Sequence, residues 1–327
     1  MRNFFHSHWK VIVALILLIL VAVMTIGPES ASAAPDLAER MRQHVRAVAS
    51  EEHNTNKPAQ LERAAAYIET TLERAGYKPA RQEYQAAGQK VRNIEVAVDN
   101  VARGKRPDRI FIVGAHYDSA VGAPGANDNG SGTAAVLELA RLLKTMQPSA
   151  GTEVRFVFFV NEEPPFFMGE EMGSMRHAAE LKRQGQQVEG ALVLETMGYY
   201  TDAPGSQKLP PGLEGQYPDT GNFIAFVGTI ESSALVRQAL AAFRAASDFP
   251  AHGLAAPAHT MGVTLSDHSA YNRHGYPALM ITDTAFMRYP YYHTAQDTPD
   301  KLDYASMARV VTGLSKTIVA LAGATRG

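Results

Sequence analysis

The stretch of residues 110–132 and the segment after it predict a strand, a glycine-rich loop and a helix in succession. The stretch reads IFIVGAHYDSAVGAPGANDNGSG, with apolar and β-branched residues first and the glycine-rich loop last. Residues 133–146 then repeat apolar residues at helical spacing. His116, Asp118 and Asp128 stand at the predicted strand end and in the loop. Ligands of open α/β sheets bind beyond the carboxyl ends of strands, so we expect a polar site there.

The rest of the chain alternates predicted strands with predicted helices. Strands are predicted at residues 81–84, 91–98, 154–160, 191–194, 223–227 and 278–281. Helices are predicted at residues 36–49, 60–75, 170–183, 232–246 and 304–322. This alternation is typical of an α/β protein with a mostly parallel central β-sheet and helices on both faces. We therefore expect a single globular domain over residues 35–327.

The N-terminus has the pattern of a targeting segment. Arg2 and Lys10 supply positive charge before an uncharged, mostly aliphatic run over residues 11–26, and Ala31-Ser32-Ala33 has the small-x-small pattern of a cleavage site. The run is shorter than the ~20 residues of a membrane-spanning helix. We expect a cleaved signal peptide over residues 1–34, with an uncleaved N-terminal anchor as the alternative. Both place the protein outside the cytoplasm, either periplasmic or secreted, and only the anchor implies contact with a membrane.

Composition excludes several kinds of site. The chain has no cysteine, which removes disulfides, thiolate metal ligands and cysteine nucleophiles. Its net charge is −2 and no basic run is present, so a nucleic-acid partner is not expected. Any metal must therefore be held by histidine, aspartate and glutamate. The oligomeric state is not readable from the sequence.

A long segment, residues 200–222, is rich in proline and glycine and has no periodicity. Irregular stretches of this length are unusual inside a domain and often belong to a functional site. A disordered insertion is the alternative, and composition does not separate the two.

Possible metal ligands follow four successive strands. They are His116 with Asp128, then Glu162-Glu163, then Glu195, and finally His293. Carboxylates gathered at one edge of a sheet repel one another unless a cation lies among them. Nitrogen and oxygen ligands without sulfur suit zinc, and less specifically manganese or cobalt.

Five ligand groups are too many for one catalytic zinc ion, which keeps an open position. They suit two zinc ions that share one carboxylate. The five groups are His116, Asp128, Glu163, Glu195 and His293. Glu162 is then left as a carboxylate beside the metals, where a general base for water is required.

Five motifs together resemble the co-catalytic zinc aminopeptidases. They are His116-Tyr117-Asp118-Ser119, the loop 125–132, Asn161-Glu162-Glu163, Ser266-Asp267-His268, and Tyr292-His293-Thr294 with Asp297-Thr298. This is the family of aminopeptidase S and aminopeptidase Y, which also contains glutamate carboxypeptidase II and glutaminyl cyclase. The resemblance covers roughly residues 36–322. It implies a zinc-exopeptidase fold of the phosphorylase/hydrolase type and a peptide substrate.

The resemblance also implies roles for individual residues. His116 is similar to the ligand of one zinc ion and Asp128 to the carboxylate that bridges both. Glu163 is similar to a further ligand, and whether it shares its ion with His116 or His293 is left open. Glu162 resembles the general base.

Other matched positions imply supporting roles. By resemblance, Asp118 orients the His116 imidazole, Tyr292 polarises the scissile carbonyl, and Asp267 is an acidic group behind the ligands. Glu195 departs from the pattern, because the family usually has aspartate at this position. Glutamate can also ligate a metal ion, but its side chain is one methylene group longer than that of aspartate, so its carboxylate reaches farther from the backbone.

Three interpretations follow. The first is an exported zinc exopeptidase, an aminopeptidase with carboxypeptidase specificity left open. The second is a glutaminyl-peptide cyclase of the same fold, whose type works with a single zinc ion and has lost part of the ligand set. The third is a non-catalytic ectodomain, which is expected to lose ligands or the base. Both histidines and the base are present here, which favours the first interpretation.

Overall fold

A computed structural model describes residues 36–324, and eight strands in this part of the chain form one sheet. The strands are β1 (Ala80–Ala86), β2 (Gln89–Asp99), β3 (Arg109–His116), β4 (Thr152–Phe159), β5 (Val188–Glu195), β6 (Ile224–Thr229), β7 (Ala251–Ala256) and β8 (Ala278–Thr282). From Leu37 onward the chain forms one compact unit. The predicted signal peptide or anchor lies outside the described residues.

Seven α-helices flank the sheet within residues 36–324. They are α1 (Leu37–Val48), α2 (Pro58–Arg74), α3 (Gly132–Leu142), α4 (Gly173–Arg183), α5 (Ser233–Ala246), α6 (His268–Arg273) and α7 (Tyr304–Leu321). None of them combines the length and the apolar character that a membrane span requires.

The sheet is mixed, with strand order β1-β2-β4-β3-β5-β8-β6-β7. Its central strands β4, β3, β5 and β8 run parallel to one another, and β6 also pairs in parallel with β7. The β1–β2, β2–β4 and β6–β8 pairs are antiparallel. The α/β class with a parallel sheet centre is therefore confirmed. The carboxyl ends of the four central strands lie at one edge, and this edge carries the predicted site.

Alternation along β3 shows how both faces of the sheet are buried. Phe111 and Val113 belong to the larger apolar cluster, which also contains residues of α1, α2, α3, α5 and α7. Ile110 and Ile112 belong to a second cluster with residues of α4 and α6. Side chains of a strand point alternately to opposite faces, so β3 is apolar throughout because helices cover it on both sides.

Two elements were not predicted from the sequence, β7 and α6. The edge strand β7 reads AHGLAA, and glycine and alanine are weak strand formers. Helix α6 has six residues, too few for a periodic apolar pattern. The remaining predicted elements are present with shifted ends; the helix predicted from residue 170, for example, begins at Gly173.

Candidate metal centre

Four of the predicted site residues lie at the ends of adjacent parallel strands. His116 is the last residue of β3, Glu195 is the last residue of β5, and Glu162 and Glu163 follow β4 closely. All four are buried. Because β4, β3 and β5 are parallel neighbours, their ends place these side chains together at one edge of the sheet.

Asp128 comes from the irregular loop that joins β3 to α3. The turn Ala126–Ser131 is entirely buried, and its Asp128–Asn129 peptide bond is cis. Gly125, just before the turn, has a φ of 73°, and a Cβ atom there would lie 2.6 Å from the Asp128 carbonyl oxygen. Only glycine fits this approach, so the glycine-rich sequence of the loop serves to bring Asp128 to the strand ends.

The two carboxylate oxygens of Asp128 face different histidines. Oδ1 lies 3.3 Å from His116 Nε2, and Oδ2 lies 2.9 Å from His293 Nε2. Glu195 Oε2 is 3.2 Å from the same His116 nitrogen, and Glu163 Oε1 is 3.2 Å from the same His293 nitrogen. The geometry thus forms two sets, each with one histidine and one glutamate, and Asp128 lies between them. The partner of Glu163, left open by the sequence, is His293 in this arrangement.

These groups fit a bound cation better than they fit one another. His116 Nε2, Asp128 Oδ2 and Glu163 Oε1 are buried, and despite these short distances none of them makes a hydrogen bond of suitable angle within the described chain. Buried nitrogen and oxygen atoms that lie close together without hydrogen bonds are expected where they act as ligands of one metal ion. Atoms of His116, Asp128 and Glu163, and separately of His116, Glu162 and Glu195, lie within 4.8 Å of one another.

Burial and mutual repulsion raise the pKa values of the three glutamates at this site. Burial, with the nearby Asp128 charge, raises the pKa of Glu163 to about 7 and that of Glu195 to about 8. Burial also raises the pKa of Glu162 well above its usual range. Burial alone would lower the pKa of His293, but Asp128 and Glu163 outweigh it and raise this pKa to about 10. A cation bound among these groups relieves the repulsion.

Asp118 supports the site in a different way from the one expected. His116 Nδ1 is 3.0 Å from the backbone carbonyl oxygen of Asp118, whereas the nearer carboxylate oxygen is 3.6 Å away. That carboxylate instead accepts hydrogen bonds from the backbone amides of Glu162 (3.0 Å) and Glu163 (3.2 Å). Asp118 therefore fixes the imidazole with its backbone and the glutamate turn with its side chain.

Glu195 has two polar partners that its sequence context did not predict, Ser266 and Asn129. The Ser266 hydroxyl donates a 2.7 Å hydrogen bond to Glu195 Oε2, and Asn129 Nδ2 donates to the same oxygen at 3.3 Å. Ser266 belongs to the Ser266-Asp267-His268 motif, and this motif was the sequence signal that could have placed it near the site. Its neighbour Asp267 is fully buried, and neither of its carboxylate oxygens has a hydrogen-bond partner among residues 36–324. Burial raises the pKa of Asp267 to about 7.

Tyr292 stacks on its neighbour His293. The ring centroids are 3.9 Å apart and the rings are nearly parallel, at 13°. Burial, followed by the charges of the surrounding carboxylates, raises the pKa of Tyr292, so its hydroxyl keeps its proton and is a hydrogen-bond donor. Tyr292 and Glu195 both line an apolar pocket beside the candidate metal centre.

Comparison with known proteins identifies the family. The chain belongs to peptidase family M28, whose family model matches residues 96–318. This confirms the family that the sequence motifs resemble.

Two relatives illustrate the similarity in sequence. YfbL, an uncharacterized protein of Escherichia coli (strain K12), is 43% identical over 263 residues, which cover 78% of this chain and 78% of YfbL. A probable leucine aminopeptidase 1 of Trichophyton verrucosum (strain HKI 0517) is 28% identical over 225 residues, 64% of this chain. The match spans 54% of that fungal protein.

Two solved structures illustrate the similarity in fold. An aminopeptidase from Aneurinibacillus sp. strain AM-1 superposes with a TM-score of 0.65 at 18% identity, over 89% of this chain and 94% of that one. A glutaminyl cyclase from Fimbriiglobus ruber superposes with a TM-score of 0.61 at 20% identity, over 86% of this chain and 94% of that one. These structures share the α/β architecture of this chain.

Proposed function

We propose that the protein is an exported exopeptidase, an aminopeptidase that hydrolyses N-terminal peptide bonds with two zinc ions. The observation that carries this proposal is the position of Asp128 between His116 and His293, with one carboxylate oxygen toward each. Membership of peptidase family M28 and the similarity to a leucine aminopeptidase support it.

The five ligands divide into two sets in this proposal. His116, Glu195 and Asp128 hold one ion, and His293, Glu163 and Asp128 hold the other. When bound, the ions supply Lewis-acid polarisation of the scissile carbonyl and lower the pKa of water. Mn²⁺ and Co²⁺ suit the same ligands less specifically.

Glu162 is the general base. Its Oε2 atom is 3.8 Å from His116 Nε2, farther than the oxygens of Asp128 and Glu195 from the same nitrogen. It is buried, and burial raises its pKa, which favours a carboxylate that accepts a proton readily. Glu162 takes a proton from the attacking water and delivers it to the leaving amine.

Tyr292 is the hydrogen-bond donor to the developing oxyanion. Its stacking on His293 fixes the ring beside the ligand set, and its raised pKa keeps the hydroxyl protonated. A donor fixed in advance stabilises charge that develops in the transition state without reorganisation.

The main alternative is a glutaminyl-peptide cyclase, because a cyclase shares the fold. The second histidine–glutamate pair favours the hydrolase, since cyclases of this type work with a single zinc ion. A non-catalytic ectodomain is disfavoured because the ligands and the base are all present.

Assays of the purified protein distinguish these functions. The substrates are aminoacyl-anilides, their N-acetylated forms and glutaminyl peptides, and the metal content is measured in the same samples. We expect hydrolysis of the free-amine substrates, none of the N-acetylated ones, and two zinc ions per chain. Conversion of glutaminyl peptides to a cyclic product with one zinc ion would establish the cyclase. Binding of metal without turnover of any of these substrates would support the non-catalytic ectodomain.

Export is a separate proposal that rests on the N-terminal sequence. We expect a mature N-terminus near Ala34 or Pro35, which intact-mass measurement of the exported protein checks. A mass that includes residues 1–30 would favour the uncleaved anchor.

A further inference from the structure

A buried chain of three polar side chains lies between β2, α4 and α6, outside the ligand set described above. The imidazole of His177, from α4, is at its centre. Its Nδ1 atom lies 2.7 Å from the Tyr271 hydroxyl of α6, and its Nε2 atom lies 2.8 Å from Glu95 Oε2 of β2. Tyr271 is fully buried and only 6% of His177 is exposed. The chain therefore joins three elements of the fold inside the protein.

The charge of Glu95 sets the direction of the hydrogen bonds along this chain. Burial alone would raise the pKa of Glu95, but its contacts with His177 and with the Arg155 guanidinium outweigh burial and lower it. Burial raises the pKa of Tyr271 well above its usual range, so the hydroxyl keeps its proton. Tyr271 thus donates to His177 Nδ1, and His177 Nε2 donates to the Glu95 carboxylate. Loss of one member would leave its neighbour with an unpaired buried atom.

Aromatic packing shields this chain from water. The buried Phe159 ring, at the end of β4, has its centroid 5.9 Å from that of His177 and 6.2 Å from that of Tyr271. Gly114 of β3 leaves the space that the Phe159 ring fills, because a Cβ atom there would lie 2.5 Å from the ring. Hydrogen bonds in such apolar surroundings are stronger than in water, and an unmade one costs more.

Helix α6 depends on contacts with other elements because it is short. It has six residues, and isolated helices of fewer than about 12 residues are marginal in water. Three side chains tie it to other parts of the fold: Tyr271 to His177, Asn272 to the Ser232 hydroxyl (3.0 Å) and Arg273 to the Met168 carbonyl oxygen (3.1 Å). Of these three contacts, the one with His177 is the buried one. A further buried contact, from His268 to the Val263 carbonyl oxygen at 2.7 Å, is local in sequence.

The start of α6 reaches the candidate metal centre through Ser266. The Ser266 hydroxyl donates a 2.7 Å hydrogen bond to Glu195 Oε2, the oxygen that lies 3.2 Å from His116 Nε2. The Ser266 carbonyl oxygen accepts a hydrogen bond from the Ser269 amide at 3.0 Å, which joins Ser266 to the first turn of α6. The hydroxyl that fixes Glu195 therefore moves with α6.

The second histidine–glutamate set has different supports. The Glu163 amide donates to the Asp118 carboxylate at 3.2 Å, and the His293 ring stacks on Tyr292. Neither Asp118 nor Tyr292 belongs to α6. A shift of α6 should therefore affect the set that contains Glu195 more than this one.

We propose that His177 is a positioning residue for the Glu195 side of the metal centre. Through Tyr271 it holds α6 in place, and α6 holds the Glu195 carboxylate by the Ser266 hydroxyl. Glu95 completes the chain by fixing the orientation of the imidazole. This inference rests on the proposed two-ion site, and it adds a buried contact on the far side of α6 that controls the affinity of one ion.

Tyr271→Phe tests the chain directly, because it removes one hydroxyl and keeps the buried ring. We expect it to weaken the binding of one zinc ion by about 10-fold and to leave the other unchanged, as is typical when a partner of a metal ligand is lost. Competition with a chromophoric zinc chelator measures both affinities. Tyr276→Phe is the matched control, since the Tyr276 hydroxyl donates to the Gln186 carbonyl oxygen (3.0 Å) beyond the other end of α6. Its zinc affinities should equal those of wild type.

A double-mutant cycle shows whether Tyr271 acts through Ser266. Ser266→Ala removes the last link, so Tyr271→Phe added to it should cause little further loss of zinc affinity. Losses that multiply in full would overturn the proposed path, because independent sites behave additively in free energy.

Two variants of His177 test the centre of the chain. His177→Leu should lose as much zinc affinity as Tyr271→Phe. His177→Gln should recover part of it, because an amide group both accepts from Tyr271 and donates to Glu95. A residue that merely supports the fold would weaken both ions alike, without recovery by glutamine. That result, or unchanged affinities in Tyr271→Phe, would overturn the positioning role.

Metal affinity and turnover separate this inference from the proposed function. If wild type binds zinc but hydrolyses no aminoacyl substrate, the aminopeptidase proposal fails. A selective loss of zinc affinity in Tyr271→Phe would still establish the positioning role in that case. If wild type hydrolyses these substrates and Tyr271→Phe keeps both affinities, the function stands and the role of His177 is overturned.

Discussion

The backbone amide of Asp128 donates a 3.1 Å hydrogen bond to the carboxylate of Asp297, although 169 positions of sequence separate the two residues. The other oxygen of Asp297 accepts hydrogen bonds from the Asn127 amide and the Tyr289 hydroxyl, each at 2.8 Å. The loop that presents Asp128 to both histidines is therefore held by a residue from the opposite end of the chain. In metal sites, such outer partners set the orientation of the ligands.

We expect Asp297→Asn to weaken metal binding by about 10–100-fold, because an amide group faces three hydrogen-bond donors with only one acceptor atom. Equilibrium dialysis against a zinc buffer measures this loss. Asp300→Asn is the control, since Asp300 is exposed and its carboxylate accepts hydrogen bonds from Thr298 and Lys301 beside it. Equal zinc affinity in both variants would show that Asp297 does not control the position of Asp128.

The neighbouring residues Glu162 and Glu163 are expected to fail in different ways. Glu162→Gln removes the proposed base and should lower kcat by about 10²–10⁴-fold, with both zinc ions retained. Glu163→Gln removes a ligand, so its activity should fall together with its zinc content and recover in part with added zinc. Metal analysis beside steady-state kinetics separates the two effects. A Glu162→Gln protein that lacks one ion would mean that the roles of the pair are exchanged.

Glu195 tests whether glutamate replaces the usual aspartate as a ligand. Glu195→Gln should weaken zinc binding strongly, because neutral amides are poor zinc ligands, and Glu195→Asp should restore it in part. The shorter side chain no longer matches the position of the Ser266 hydroxyl, which donates to Glu195 at 2.7 Å. Zinc content in the three proteins checks this expectation. The same content in all of them would make Glu195 a structural carboxylate.

The position of the site was accessible from the sequence because it depends on strand ends. Nearly continuous apolar runs predict buried parallel strands, and polar residues directly after them must share an edge. His116, Glu163 and Glu195 meet for this reason. Asp128 was a candidate ligand from its place in the glycine-rich loop, but its position between the two histidines depends on an irregular turn and on a glycine with positive φ. The motif resemblance supplied its bridging role.

Other features depend on contacts between distant residues, which single-sequence patterns do not contain. The pairing of Glu163 with His293 depends on a loop fixed by tertiary contacts. Residues 200–222 contribute to the wall of the apolar pocket, and Arg288 holds them through Gln207. The segment has no periodic pattern from which this position could be predicted. The carboxylate of Asp118 holds the glutamate turn, whereas the family resemblance implied that Asp118 orients the His116 imidazole.

Metal affinity should rise with pH. The pKa of Glu163 is about 7 and that of Glu195 is about 8 in the metal-free site, so both carboxyls carry protons below these values. A cation must displace these protons, which favours binding at high pH and opposes it at low pH. We expect zinc binding to be tighter at about pH 8.5 than at about pH 6.5, with more protons released at the lower pH.

Calorimetry in buffers with different ionisation enthalpies counts the protons released on zinc binding. Glu195→Gln should reduce this count near pH 7, since the amide carries no displaceable proton. An affinity that does not change with pH would contradict the assignment of protonated carboxyls to the free site.

Glu138 provides a test of stability away from the metal centre. This carboxylate of α3 is buried, and it forms ion pairs with Arg40 Nη2 (3.0 Å) of α1 and with Arg141 Nη2 (2.7 Å) of α3. His44 Nε2 of α1 lies 2.9 Å from it. Burial alone would raise the pKa of Glu138, but these three partners outweigh burial and lower it to about 2.

Because the folded-state pKa is below its ordinary value of 4.5, the charged form of Glu138 stabilises the folded protein above that pH. The contribution is lost as the pH falls from 4.5 toward about 2. We expect Glu138→Gln to lower the free energy of unfolding by about 3 kcal/mol at neutral pH, since it leaves Arg40 and Arg141 without their buried anion. Urea denaturation at a series of pH values measures the difference, which should shrink in acid.

Glu180→Gln is the control and should change nothing measurable, because the Glu180 pair with Arg183 is exposed to solvent. A Glu138→Gln protein as stable as wild type at neutral pH would show that the network does not join α1 to α3 energetically.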